Sequence, residues 1–223
     1  MARPVTKIAK PTADGDAAER FPRRTARRQQ TRARILDAAL SEFQRVGYAE
    51  ATMNAIAEAA DIHVTTLFTH FKAKRELAET LAEAELESLQ QMIEQAQGKV
   101  PFFDFLRDLV LSTAKARQTK GDHKRGISRE SLQEPELLLH WVRYEEREVQ
   151  LFAAYIAHDY GLDLASDYAP LLAADALVAS GVHSYARWRR GRGTLDLVTE
   201  TEAALDLAER MAKCVLPPPP KSR

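Results

Sequence analysis

TRARILDAALSEFQRVGYAEATMNAIAEAADIHVTTLFTHFKAKREL, residues 31–77, holds three short runs of helical apolar spacing separated by turn residues. In the first run Ile35, Leu36, Ala39, Leu40, Phe43 and Val46 form one stripe, and Gly47 ends it as a C′ glycine does. Thr52 stands at an N-cap position ahead of Ile56, Ala57 and Ala60, a second helix that cannot run far before Asp61. A third helix is predicted from about Val64 to Phe71, with Leu67 and Phe71 turned inward. Three short helices joined by tight turns make a trihelical unit that ends in a helix-turn-helix.

Beyond this unit the predicted helices lengthen. Ala82, Leu86, Leu89, Ile93 and Ala96 recur at gaps of four and three, while Glu79, Glu83, Glu87 and Glu94 wet the other face. Pro101 suits the first turn of a helix whose face carries Phe102, Leu106, Leu109, Val110 and Thr113. Residues 121–126, GDHKRG, read as a polar loop, and Pro135 starts a helix with two apolar seams. One seam is Leu138, Val142, Val149, Phe152 and Ile156; the other is Leu137, Trp141, Tyr144, Leu151 and Tyr155, so this helix is expected to be central. Glu145, Glu146 and Glu148 read as a solvated face rather than acid/base machinery. The segment 168–188 is rich in small residues, with Arg187, Arg189 and Arg190 at its C-terminal end, where cations offset the helix dipole. Thr199 and Glu202 read as a capping box before Leu205, Ala208, Met211 and Val215. With no alternating strand pattern, the expected fold is all-α.

The 223 residues carry no net formal charge, but the balance is +5 over residues 1–77 and −5 over the rest. A basic N-terminal part on an acidic remainder points to polyanion contact by the former alone. Seven arginines fall between positions 20 and 34: Arg20, Arg23, Arg24, Arg27, Arg28, Arg32 and Arg34. Residues 1–30 show no periodicity and are expected to form a disordered, Arg-rich arm, and 217–223 a Pro-rich disordered tail. The longest charge-free run, 176–186, has 11 residues, whereas a membrane span needs about 20. Together with an N-terminus that lacks an apolar signal region, this predicts a cytoplasmic protein with no membrane partner. Cys214 is the one cysteine and no two histidines stand within four residues of each other, so no metal site or cofactor is expected.

Residues 31–77 resemble the N-terminal domain of the TetR family of bacterial transcriptional regulators. The likeness is carried by TRARIL with Ala38-Ala39, Phe43 and Gly47-Tyr48, by Thr52, Ile56-Ala57 and Ala60, and by Thr66-Leu67-Phe68, His70-Phe71 and Lys74. Where the family usually has Gly this chain has Asp61, a residue that tolerates the left-handed conformation. His63 replaces the usual Ser and is a poorer N-cap, one that when protonated would point at a phosphate; Arg75 replaces the usual Glu.

The resemblance implies a DNA-binding domain over 31–77 and a larger helical ligand-binding and dimerisation domain over 78–216. It implies that Thr52 donates to a phosphate, that Met53 and Asn54 lie at the groove edge, and that Val64, Thr65, Thr66, Phe68, Thr69 and His70 face the DNA, with His63 and Lys74 at the backbone. Arg23, Arg24, Arg27 and Arg28 would follow the adjacent minor groove. A ligand-responsive repressor, working as a homodimer on a near-palindromic double-stranded DNA operator and relieved by a small-molecule inducer, is the expected function. The helices over 168–188 and 199–215 are the expected dimer interface. Phe102, Phe103, His140, Trp141, Tyr144 and Tyr155 are the expected cavity lining, between the helices that begin near Glu76, Pro101 and Pro135. No nucleophile elbow or phosphate loop supports an enzyme. The alternative is a helical small-molecule carrier or scaffold without DNA contact. Retention on DNA discriminates: a regulator releases duplex steeply as salt rises and prefers some sequences, while a carrier prefers none.

Overall fold

The computed structural model describes residues 22–119, 135–191 and 194–218. The expected arm up to residue 21, the 121–126 loop, Gly193 and the tail from 219 lie outside these described residues. Eight helices are found among them: α1 Pro22–Val46, α2 Met53–Ala59, α3 Val64–His70, α4 Lys74–Ala96, α5 Phe102–Thr119, α6 Pro135–Tyr160, α7 Ala169–Arg190 and α8 Leu197–Val215. The all-α class stands, with three short N-terminal helices and a larger helical domain.

The first boundary differs from expectation. α1 begins at Pro22, not near Thr31, so Arg23, Arg24, Arg27 and Arg28 belong to its first turns rather than to an extended arm. The physical reason is that Pro22 suits an N-terminal turn and Arg, Ala and Gln are good helix formers, so the helix already nucleated by its packed half runs back through them. Periodicity could not show this, because Arg24 and residues 26–30 are all exposed and carry no apolar stripe. α8 also starts early. Asp196 is its N-cap, accepting the Thr199 N–H at 2.8 Å, so Thr199 lies inside the first turn and does not open a capping box.

Two large cores and a small third cluster of Ala114, Trp188 and Leu197 hold the described residues together. The N-terminal core gathers Ile35, Ala39 and Phe43 of α1, Ile56 of α2, Leu67 of α3 and Leu77 of α4, with Tyr48 and Phe71 between elements. The C-terminal core packs Leu89 and Ile93 of α4, Phe102 and Leu106 of α5, Phe152 and Ile156 of α6, Leu177 of α7 and Leu205 of α8. α4 and α6 enter both: Leu137, near the start of α6, is fully buried in the N-terminal core while Tyr155, toward its end, is fully buried in the C-terminal one. Polar ties fix the ends. Tyr155 donates to the Val100 carbonyl (2.7 Å), and Asp159 accepts the Phe102 N–H that opens α5 (2.7 Å). Arg107 of α5 reaches Asp206 (2.6 Å) and Glu209 (2.9 Å) of α8, and Gln118 accepts the Leu197 N–H (2.7 Å). No helix among the described residues is long and apolar enough to cross a membrane.

The turn between α2 and α3 hinges on Asp61, whose φ of 51° is left-handed. Gly47, at φ 91°, makes the corresponding reversal after α1. A β-branched residue at position 61 meets the left-handed penalty of about 1–2 kcal/mol that Asp largely avoids. Asp61→Val is expected to lower the unfolding free energy read by urea denaturation by that amount, and Asp61→Gly to leave it within about 0.5 kcal/mol.

Candidate nucleic-acid interface

The second helical pair is built to present one short helix. α2 is capped by Thr52, whose Oγ1 accepts the Ala55 N–H at 3.1 Å, and α3 by His63, whose Nδ1 accepts the Thr65 N–H at 3.3 Å. Capping requires that Nδ1 be unprotonated, and the Thr65 hydroxyl lies 2.8 Å from the same atom. His63 therefore serves as the N-cap of α3.

α3 has one fully buried side chain, Leu67, and Phe71 follows it into the same core. The remaining side chains face outward: Thr65, Thr66 and Thr69 are exposed, Phe68 is 42% exposed, and Val64 and His70 are half-buried. Thr69 donates its hydroxyl to the Thr65 carbonyl (2.9 Å) and remains exposed. On α2, Asn54 is exposed at the edge of this face, and Met53 is half-buried against the core. The exposed set thus offers hydroxyls and apolar surface, which suits thymine methyls and single hydrogen bonds rather than bidentate reading.

Among the described side chains of the N-terminal arginines, two have structural duties. Arg32 donates to the His70 carbonyl at 3.2 Å and lies 4.0 Å over the Phe71 ring. Arg34 donates to the carbonyls of Ala60 and Asp61, and its guanidinium lies 3.7 Å from the Asp61 carboxylate, which fixes the left-handed turn to α1. Arg24, Arg27 and Arg28 are exposed on the helical extension. Arg28 is close enough to act on His70: burial lowers the His70 pKa first, and the charges of Arg28 and Arg32 lower it further. His70 is accordingly neutral at physiological pH, able to donate or accept a hydrogen bond but adding no cation.

Lys74 departs most from its expected role. Its ammonium donates to the carbonyls of Tyr48 (2.6 Å), Ala49 (3.0 Å) and Ala51 (3.0 Å) and sits 4.3 Å from the Tyr48 ring centroid. Three donors are thereby spent on the loop between α1 and α2, so Lys74 clamps that loop to the start of α4 instead of holding a phosphate.

A second feature lies in the C-terminal domain: a cavity of about 770 Å³ lined by residues of α4, α5, α6, α7 and α8. Trp141 and Tyr144 line it as expected. Phe102, Phe103, His140 and Tyr155 do not. Phe102 and Tyr155 are buried in the core, Phe103 packs on Phe102 and Tyr160, and half-buried His140 stands beside Trp141 at 6.4 Å between ring centroids. The solvated-face reading also gives way at Glu148, which with Glu145 lines the cavity, while Glu146 is exposed. Burial above all, then the charges of Glu85 and Glu145, push Glu148 up to about 7 against the opposing effect of Arg117. Burial raises the Tyr144 hydroxyl likewise. The register 141, 144, 148, 152 in the sequence carries the signal that Glu148 shares a face with Trp141, Tyr144 and Phe152.

Known proteins resemble the chain in sequence and in fold. Residues 35–81 match the model of the bacterial regulatory proteins of the tetR family. YvkB of Bacillus subtilis, an HTH-type transcriptional regulator, is 30% identical over 131 residues, 56% of this chain and 66% of its own length, just under two thirds. MftR of Mycobacterium tuberculosis, described as a transcriptional regulator, is 24% identical over 181 residues, 81% of this chain and 90% of its own. In fold, the chain is similar to the transcriptional regulator FadR from Bacillus subtilis, solved in complex with stearoyl-CoA. The TM-score is 0.59 at 15% identity, covering 79% of this chain and 96% of that one.

Lys74→Ala leaves three carbonyls without their donor and is expected to cost about 1–3 kcal/mol of stability, read by urea unfolding. A variant that melts as wild type yet binds every duplex more weakly would restore the phosphate assignment. Thr66→Ala is expected to keep its stability within about 0.5 kcal/mol and to change discrimination at one base pair by about 1–3 kcal/mol, read by competition among operator variants.

Proposed function

Because the chain belongs to the TetR family of transcriptional regulators, we propose that it is a ligand-responsive repressor binding a near-palindromic operator as a homodimer. The family and the relatives named above are regulators rather than enzymes. In this reading α3 enters the major groove, its threonines and Phe68 touching base edges, while Arg24, Arg27 and Arg28 on the helical extension lie along phosphates.

The observation that carries ligand response is the span of α6. Trp141 lines the cavity and also packs against the N-terminal core, four residues after Leu137 is buried there. A molecule that displaces Trp141 thus pushes on the packing that seats α1, α3 and α4. Such a molecule acts only through its difference in affinity between the DNA-competent and incompetent states. FadR of Bacillus subtilis, of like fold, was solved in complex with stearoyl-CoA, so a protein of this fold takes a small-molecule ligand.

Dimerisation rests on an apolar stripe with no partner among the described residues. Leu207, Met211 and Val215 recur every four residues along α8 and are about half exposed, and Leu172 of α7 is 58% exposed. Together with the small residues of α7, they suit a four-helix contact across a two-fold axis, which sets two α3 helices about 34 Å apart. One copy alone offers too few base contacts for a specific site.

The test is selection of genome fragments that bind the purified protein, followed by release with candidate small molecules; a pool with no enriched duplex at low salt overturns the reading. The double substitution Leu207→Glu and Met211→Glu is expected to give a folded monomer in sedimentation whose operator affinity falls by at least about a hundred-fold, as one head is lost.

A further inference from the structure

The effector reading leaves open which chemistry the cavity accepts, and its walls answer that in a way that rests on that reading. Leu89, Met92, Leu109 and Phe152 provide apolar surface. On the side shared by α4 and α6, Glu85, Glu145 and Glu148 stand beside Trp141 and Tyr144, whose rings meet edge to face at 5.5 Å between centroids. Glu85 is exposed at the rim and hydrogen-bonds the Tyr144 hydroxyl, whereas Glu148 is half-buried, and a carboxylate drawn into such a recess is costly unless a cation answers it.

Of the cations that line the cavity, Arg117 acts on both Glu148 and Tyr144. Arg117 of α5 and Arg189 of α7 lie 5.0 and 5.9 Å from the Tyr185 ring centroid, toward the C-terminal end of α7 with Arg190. Glu148 makes no ion pair or hydrogen bond with any described residue. Arg117 opposes the rise in the Glu148 pKa, yet Glu85 and Glu145 each outweigh it, so the local field at Glu148 is negative.

We propose that this cavity binds an amphipathic organic cation, with its charged centre between Glu148 and Glu85 and against the Trp141 and Tyr144 rings, and its apolar body along Leu89, Met92, Leu109 and Phe152. The aromatic faces add cation–π attraction where water is excluded. Since the cation favours ionised Glu148, binding expels a proton below about pH 7, and affinity rises as pH climbs through that value. The groups that share this field are Glu85 from α4, Arg117 from α5, Tyr144 and Glu145 from α6, and Tyr185, Arg189 and Arg190 from α7.

Tetraphenylphosphonium and tetraphenylborate, alike in shape and opposite in charge, are the probes. Each is titrated into the full-length protein at pH 6 and pH 8, with tryptophan fluorescence and calorimetry as readouts. The phosphonium is expected to bind at least about ten-fold tighter than the borate, and tighter at pH 8 than at pH 6. Glu148→Gln, isosteric with the protonated side chain, is expected to lose the pH dependence and most of the preference; Glu85→Gln serves as the second variant should the first unfold. Borate bound as well as or better than phosphonium overturns the cationic class while the cavity stands as an effector site. Neither probe bound overturns the effector reading of the cavity and the class with it. A preference untouched in both variants overturns the assignment to these carboxylates.

Discussion

Everything the DNA-reading half does depends on burying Leu67 and Phe71. A seven-residue helix in water is far below the length at which hydrogen bonding sustains it, so α3 exists because these two side chains are drawn under α1, α2 and α4. Once they are buried, helical geometry dictates that positions 65, 66, 68 and 69 face outward together. The same burial explains the polar fastenings around it. Arg32 holds the end of α3, Arg34 holds the turn before it and Lys74 holds the loop behind it, each by donating to backbone carbonyls that no helix would satisfy.

The sequence makes the elements that bury a stripe easy to recognise. Phe43, Ile56, Leu67 and Phe71 in the first core, and Leu86, Leu89 and Ile93 along α4, fall where their spacing puts them. Asp61 adopts the left-handed backbone that its side chain tolerates. What spacing cannot show is a helix that packs on nothing, and for that reason the first turns of α1 read as irregular chain. Nor can it show where a cation spends its charge. Lys74 and Arg34 look like any other basic residue beside a duplex, yet backbone carbonyls claim both.

The cavity was legible as a region but not as a surface. Trp141, Tyr144, Phe102 and Tyr155 all sit at helical spacing, and only the three-dimensional course of α7 and α8 decides which of them face packed core and which face space. Acidic residues on α6 illustrate the converse difficulty. Glu146 is solvated while Glu145 and Glu148 are turned inward, a distinction of about one hundred degrees around the helix that composition does not record.

The helical start of α1 has a further bearing on thermodynamics. A flexible peptide laid along a duplex must surrender about 1–2 kcal/mol of backbone freedom per residue at the moment of association. In residues 22–30 that ordering is completed when the protein folds, so under the proposed reading Arg24, Arg27 and Arg28 would reach a duplex as a preformed array. Association by such an array draws mainly on counterion release, with little of the enthalpic compensation and heat-capacity change that accompany folding upon contact.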